Sequence, residues 1–122
     1  MVLRMDHMNI NTMNLEQSLQ FYKDAFDLEE VRRSAAKDGS HIIVYLTDQP
    51  KAFTLEITWL RDRSEPYDLS DNEIHLCFRT DDYEAALKRH RDMGVVSMEN
   101  EQMGIYFVED PDGYWVEIAP ER

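Results

Sequence analysis

The chain has 122 residues, of which 43% are hydrophobic and 31% charged, so it suits one domain with a buried core and excludes a multidomain assembly. Lysine and arginine total 13 against 25 aspartates and glutamates, and the net charge of −12 argues against partners such as nucleic acid or anionic lipid. No apolar run approaches the roughly 20 residues that span a bilayer, no signal-peptide pattern opens the chain, and the single cysteine cannot form an internal disulfide. We therefore expect a cytoplasmic protein with no membrane partner.

The first half of the chain predicts the order β-α-β-β-β. Residues 5–11 alternate between apolar and polar side chains, which indicates a strand. Asn14 is a good N-cap, and apolar residues then recur at helical spacing. Three short strands are predicted near residues 29–34, 41–47 and 52–59.

The second half repeats this order. A strand is predicted over 74–79, followed by a helix that Asp81 or Asp82 caps and that ends at Gly94. The remaining strands are predicted near 95–98, 104–109 and 114–119.

The two halves are related as an internal repeat. Without gaps, five identical pairs align: His7/His75, Thr12/Thr80, Glu16/Glu84, Leu19/Leu87 and Asp24/Asp92. The ends also correspond, residues 55–57 with 116–118. We therefore predict an α+β fold in which two βαβββ modules, about 1–63 and about 72–122, form one domain over 1–122. A polar connector over 64–72 joins them.

Two histidines and two glutamates carry the chemistry. Side chains alternate along a strand, and the predicted register places His7, Glu56, His75 and Glu117 opposite the apolar side chains of their strands. Burying a carboxylate without a partner costs free energy. Because all four residues lie on the face opposite the apolar side chains, a shared cation that compensates the two carboxylates is favoured. Two imidazoles and two carboxylates suit a divalent transition metal. The alternative is that the glutamates are solvated, with Arg79 as a partner, and that the histidines fill the core.

The last strand and the turn before it resemble a known family. Residues 107–118 (Phe-Val-Glu-Asp-Pro-Asp-Gly-Tyr-Trp-Val-Glu-Ile) place an Asp-Pro-Asp-Gly turn before a strand that carries Glu117. This pattern resembles the vicinal oxygen chelate superfamily and, within it, glyoxalase I. The resemblance implies the glyoxalase/bleomycin resistance/dioxygenase-like fold, with mixed curved sheets and helices on their outer face. It also implies that the metal ligands are His7, Glu56, His75 and Glu117.

The same resemblance implies the cofactor and the assembly. The short chain is similar to members that prefer nickel or cobalt, with zinc, manganese or iron as alternatives. A homodimer is implied, with sites at its interface that take His7 and Glu56 from one chain and His75 and Glu117 from the other. The sequence alone is also compatible with a site formed within one chain.

The implied reaction converts the hemithioacetal of a 2-oxoaldehyde such as methylglyoxal into a 2-hydroxyacyl thioester. A divalent ion that chelates two adjacent substrate oxygens stabilises an enediolate, and a carboxylate moves the proton between neighbouring carbons. The resemblance assigns Glu117 as this base. Glu56, on the other side of the metal, would serve the other substrate enantiomer.

Two residues differ from the family pattern and leave the identity of the thiol substrate undecided. Glutathione-using members carry an arginine where this chain has Asn11, and an asparagine where it has Leu60. Two alternatives also remain. An extradiol-type dioxygenase needs only two histidines and one carboxylate, so it does not require Glu56. A bleomycin-resistance-like binding protein lacks the metal set. Cys77, which shares the face of His75, is interpreted as a small buried hydrophobic residue.

Overall fold

The first compact unit, Met1–Tyr67, contains one helix and one four-stranded sheet. A computed structural model describes residues 1–122. The elements of this unit are β1 (His7–Thr12), α1 (Leu15–Phe26), β2 (Glu29–Ala35), β3 (His41–Thr47) and β4 (Thr54–Leu60). The sheet order is β1-β4-β3-β2, with β1 parallel to β4 and the other neighbours antiparallel.

The second unit, Asp68–Arg122, repeats this plan. Its elements are β5 (Leu76–Thr80), α2 (Tyr83–Met93), β6 (Val96–Asn100), β7 (Ile105–Glu109) and β8 (Trp115–Pro120). The sheet order β5-β8-β7-β6 corresponds strand by strand to that of the first unit, again with one parallel pair, β5 and β8. The predicted α+β fold with two βαβββ modules is confirmed.

Strand register reproduces the internal repeat residue by residue. Asn9 lies opposite Glu56 in the first sheet, and Cys77 lies opposite Glu117 in the second. On the other side of β4 and β8, Tyr45 pairs with Glu56 and Phe107 pairs with Glu117. Each glutamate therefore occupies the same place in its sheet, as the sequence alignment predicts.

Both helices begin at predicted caps, and α2 ends at the predicted residue. The Asn14 side chain accepts a hydrogen bond from the Gln17 backbone N–H at 3.1 Å, and Asp82, not Asp81, caps α2 by accepting from Ala85 at 3.1 Å. Gly94 ends α2 with φ of 72°, a left-handed conformation that glycine adopts without steric cost. Neither helix is long and apolar enough to cross a membrane.

Alternation along β4 and β8 separates the buried core from the face that carries Glu56 and Glu117. Leu55 and Ile57 are buried in β4, and Val116 and Ile118 are buried in β8. The first strands of the two units begin later than predicted, so His7 is the first residue of β1 and His75 immediately precedes β5. The reason is pairing, because the ladder with the partner strand begins only at His7 in β1 and at Leu76 in β5.

Candidate active site

Each unit brings together one imidazole and one carboxylate of the four predicted ligands. In the first unit His7 Nε2 lies 3.5 Å from Glu56 Oε2, and in the second His75 Nε2 lies 2.9 Å from Glu117 Oε1. Both glutamates are largely covered, with 14% and 19% of the side-chain surface exposed. Within either unit, no three His, Cys, Asp or Glu side chains form a group that could hold a metal ion. Each unit therefore contains one imidazole–carboxylate pair.

The parallel pairing of β1 and β4 produces the first pair. His7 is in register with Thr54, so Glu56 lies two residues further along β4 and on the same face of the sheet. The other ring nitrogen, His7 Nδ1, is 2.8 Å from Asp6 Oδ2. This hydrogen bond raises the pKa of His7 and lowers the pKa of Asp6. Asp6 fixes the ring orientation and leaves Nε2 directed at Glu56, as carboxylates behind ligand histidines commonly do.

Sequence reasoning missed the groups that surround Glu56. In the orientation that satisfies both polar atoms of its amide, Asn9 donates to Glu56 Oε1 at 3.1 Å. Tyr45, across the β3–β4 ladder, donates its hydroxyl to Glu56, and this bond to a carboxylate raises the pKa of the phenol. The guanidinium of Arg32 lies 4.0 Å from the centre of the Tyr45 ring. The alternation of β3 and β4 could have indicated Tyr45, because cross-strand partners lie on one face.

The second pair has aromatic neighbours instead. The His75 ring meets Phe107 edge-on, with centroids 5.1 Å apart, and Phe107 in turn lies 5.3 Å from Trp115. These rings form an aromatic wall beside the imidazole. Glu117 lies opposite Cys77 across the parallel β5–β8 ladder.

The Asp-Pro-Asp-Gly turn places β8 beside the segment that carries His75. Asp110 is buried, and its Oδ1 accepts the backbone N–H groups of Asp112 and Tyr114, each at 2.9 Å. The connector joins this turn through Asn72, which donates to the Gly113 carbonyl at 3.0 Å and accepts from the Trp115 backbone at 3.1 Å. These bonds hold the residues before β5 against the start of β8, and His75 reaches Glu117 as a result.

Two interpretations from the sequence change. Cys77 is exposed, so its interpretation as a buried hydrophobic residue is wrong; its neighbours Leu76 and Phe78 are the more covered residues of β5. Partial desolvation, together with the charge of Glu117, raises the pKa of the Cys77 thiol. Arg79 donates to the Pro120 carbonyl at 2.7 Å, a partner other than the glutamate that the alternative interpretation gave it.

A family profile matches most of the chain. Residues 4–118 match the profile described as the Glyoxalase/Bleomycin resistance protein/Dioxygenase superfamily. The chain belongs to this superfamily. Among curated relatives, the lactoylglutathione lyase of Neisseria meningitidis is 33% identical over 98% of this chain and 92% of its own length. A protein of Synechocystis named probable lactoylglutathione lyase is 30% identical over 92% of this chain and 91% of its own length.

A solved structure supports the same superfamily fold. The trypanothione-dependent glyoxalase I of Leishmania major superposes with a TM-score of 0.86, covering 98% of this chain and 88% of its own length at 24% identity. At that identity the likeness concerns the fold. The superfamily architecture predicted from the terminal turn is therefore confirmed both by sequence profile and by structure.

Proposed function

We propose that this chain is a glyoxalase I-like metalloenzyme that converts a thiol hemithioacetal of a 2-oxoaldehyde, with methylglyoxal as the type substrate, into a 2-hydroxyacyl thioester. The observation that carries the proposal is the occurrence of one imidazole–carboxylate pair at repeat-equivalent places of each unit: His7 with Glu56 and His75 with Glu117. The relatives named lactoylglutathione lyase support this class of reaction.

The donor atoms fit a divalent transition metal. The pairs supply two imidazole nitrogens and two carboxylate oxygens in total, a set that suits nickel, cobalt, zinc, manganese or iron. In the first pair Asp6 engages Nδ1, so Nε2 is the nitrogen available to an ion. When bound, such an ion supplies Lewis-acid stabilisation of negative charge on two adjacent substrate oxygens. We propose nickel or cobalt as the preferred ion and all four residues as its ligands.

The chain's own residues then move the proton. Glu117 removes the proton from the substrate carbon and returns it to the neighbouring carbon, which is general acid–base catalysis by one group. Glu56 holds the corresponding place for the opposite enantiomer. The Phe107 ring lies beside the imidazole that contacts this base, and Trp115 packs against Phe107. We further propose that two copies of the chain complete each site, with His7 and Glu56 from one copy and His75 and Glu117 from the other.

The test begins with the metal content of the purified protein. Elemental analysis is followed by chelation, reloading with nickel, cobalt, zinc, manganese or iron, and an isomerase assay with methylglyoxal and several thiols, including glutathione and trypanothione. We expect stoichiometric metal and turnover with at least one thiol. His75→Ala is expected to lower metal content, and His41→Ala is the matched control because His41 belongs to neither pair.

The outcomes separate the alternatives. Bound metal without turnover on any hemithioacetal would contradict the lyase proposal and favour another enzyme of the superfamily, such as an extradiol-type dioxygenase. A correctly folded protein that binds none of these ions would favour a binding protein similar to bleomycin-resistance proteins.

A further inference from the structure

The two candidate ligand carboxylates occupy equivalent places but have different neighbours. Glu56 lies between Asn9 of β1 and Tyr45 of β3. At the corresponding places around Glu117, the second unit has Cys77 and Phe107. The first unit thus places an amide and a phenol hydroxyl beside its glutamate, whereas the second unit places a thiol and a phenyl ring beside its own.

Hydrogen bonding follows this difference. Glu56 accepts from the Asn9 amide at 3.1 Å and from the Tyr45 hydroxyl. Phe107 has no donor for Glu117. The Cys77 thiol lies 3.7 Å from the Phe78 carbonyl and also hydrogen-bonds to Glu117, but a thiol is a weak donor; the strong partner of Glu117 is His75 at 2.9 Å. Glu56 is therefore held by two donors that have no equivalent of similar strength at Glu117.

The hydroxyl that reaches Glu56 is itself held in place. Arg32 covers one face of the Tyr45 ring at 4.0 Å, and the His7 ring lies edge-on to it at 6.4 Å. The phenol thus contacts both members of the first pair, and turning Glu56 away from its position breaks the bonds to both Asn9 and Tyr45.

We infer that Tyr45, together with Asn9, is a positioning residue that holds Glu56 in place more firmly than its own neighbours hold Glu117, and thereby makes Glu117 the carboxylate that moves more readily. This inference rests on the proposed function and explains from the chain's own contacts why two equivalent glutamates take different roles. Groups that hydrogen-bond to a metal ligand typically change metal affinity by about 10–100-fold when removed.

The experiment exchanges the two rings. Tyr45→Phe makes the first unit resemble the second, and Phe107→Tyr does the reverse. Affinity for cobalt is measured by competition with a chromophoric chelator, which requires no turnover. We expect Tyr45→Phe to weaken cobalt binding by about 10-fold and Phe107→Tyr to strengthen it. Asn9→Ala, which removes the other donor, is expected to act in the same direction as Tyr45→Phe.

Turnover supplies the second readout. In Tyr45→Phe, Glu56 gains freedom, so we expect the preference between the two hemithioacetal enantiomers to decrease; in Phe107→Tyr we expect kcat to fall although the metal binds at least as tightly. Tyr67→Phe is the matched control, because Tyr67 belongs to the same unit and also lies under a guanidinium, that of Arg63. It is expected to match the wild type in both readouts.

Failure of this inference is distinguishable from failure of the proposed function. If the wild type binds cobalt and turns over a hemithioacetal while both ring exchanges leave affinity and enantiomer preference within twofold of the control, the inference is overturned and the function stands. If the folded wild type binds no metal, both are overturned.

Discussion

The two units have the same backbone fold but different residues in their cores. Along α1, Phe21 and Tyr22 meet edge-on at 5.1 Å, and Tyr22 stacks with Phe26 at 6.0 Å. At the place of α2 that corresponds to Tyr22, the second unit buries His90, whose Nδ1 lies 2.6 Å from the Tyr106 hydroxyl. Caps, register and strand order agree between the units, whereas the groups buried beneath the helix are aromatic in one and a polar pair in the other. The repeat determines where side chains lie, and the residue types at those places then determine the chemistry.

The same contrast occurs on the opposite faces of the sheets. Glu56 has Asn9 and Tyr45 around it, while Glu117 has an aromatic wall on the side of His75. Two carboxylates at equivalent places of the repeat can therefore have unequal roles. The predictions below test this contrast at the site first and in the cores afterwards.

The largest effect is expected at Glu117. Glu117→Gln keeps the shape of the side chain but removes the proton acceptor, so we expect kcat to fall by about 10²–10⁴-fold at saturating metal. Glu56→Gln should lower kcat by much less with the preferred enantiomer. Steady-state kinetics with metal-loaded protein measures both.

Metal content and circular dichroism serve as controls for this pair of variants. Both are expected to fold and to bind metal more weakly than the wild type. Near-normal turnover of Glu117→Gln, or equal losses in the two variants, would reject the assignment of Glu117 as the base.

The next effect is expected in the second core. Tyr106→Phe removes the hydroxyl that His90 contacts inside the unit, and loss of a buried partner costs about 1–3 kcal/mol of the free energy of unfolding. Urea unfolding measures the change. Tyr83→Phe is the control, since it makes the same chemical change on a ring that packs edge-on against Tyr106 at 5.5 Å. Equal losses in the two variants would show that the His90–Tyr106 bond adds nothing specific to the free energy of unfolding.

Most of the fold could be predicted from local signals. Asn14 and Gly94 identify helix ends because caps have strong chemical preferences, and alternation in β4 and β8 identifies the buried face. Strand starts do not follow from local signals, because pairing with a distant strand decides them: His75 precedes β5 for this reason.

The alternation of side chains along the strands predicts the imidazole–carboxylate pairs of the candidate site, but it does not predict the residues that surround them. Asp6 reaches His7 through side-chain orientation just outside a strand, and Tyr45 reaches Glu56 through a cross-strand register that sequence alone does not fix. Cys77 illustrates the opposite error, because its hydrophobic character suggested burial on a face that is exposed.

A smaller effect is expected at the helix caps. Asn14→Ala and Asp82→Ala each remove the acceptor of one backbone N–H at a helix start, which costs about 1 kcal/mol. We expect the aspartate to lose slightly more, because its charge also interacts with the helix dipole. Chemical denaturation, with Asp81→Ala as the control beside the true cap, measures this. A loss at Asp81 as large as at Asp82 would contradict the assigned cap.

The smallest effect is expected in alkaline solution. Burial raises the pKa of Tyr106 above the ordinary phenol value of about 10. Above that value the unfolded chain releases the proton while the native protein keeps it, so the unfolded state binds fewer protons and stability decreases as pH rises. Tyr106→Phe lacks this contribution. The stability gap between wild type and variant should therefore be constant from about pH 7 to 9 and narrow by just under about 1 kcal/mol near pH 10.5. A gap that stays constant or widens through this range would show that the Tyr106 hydroxyl ionises at least as readily in the native second unit as in the unfolded chain, which is incompatible with its burial against His90.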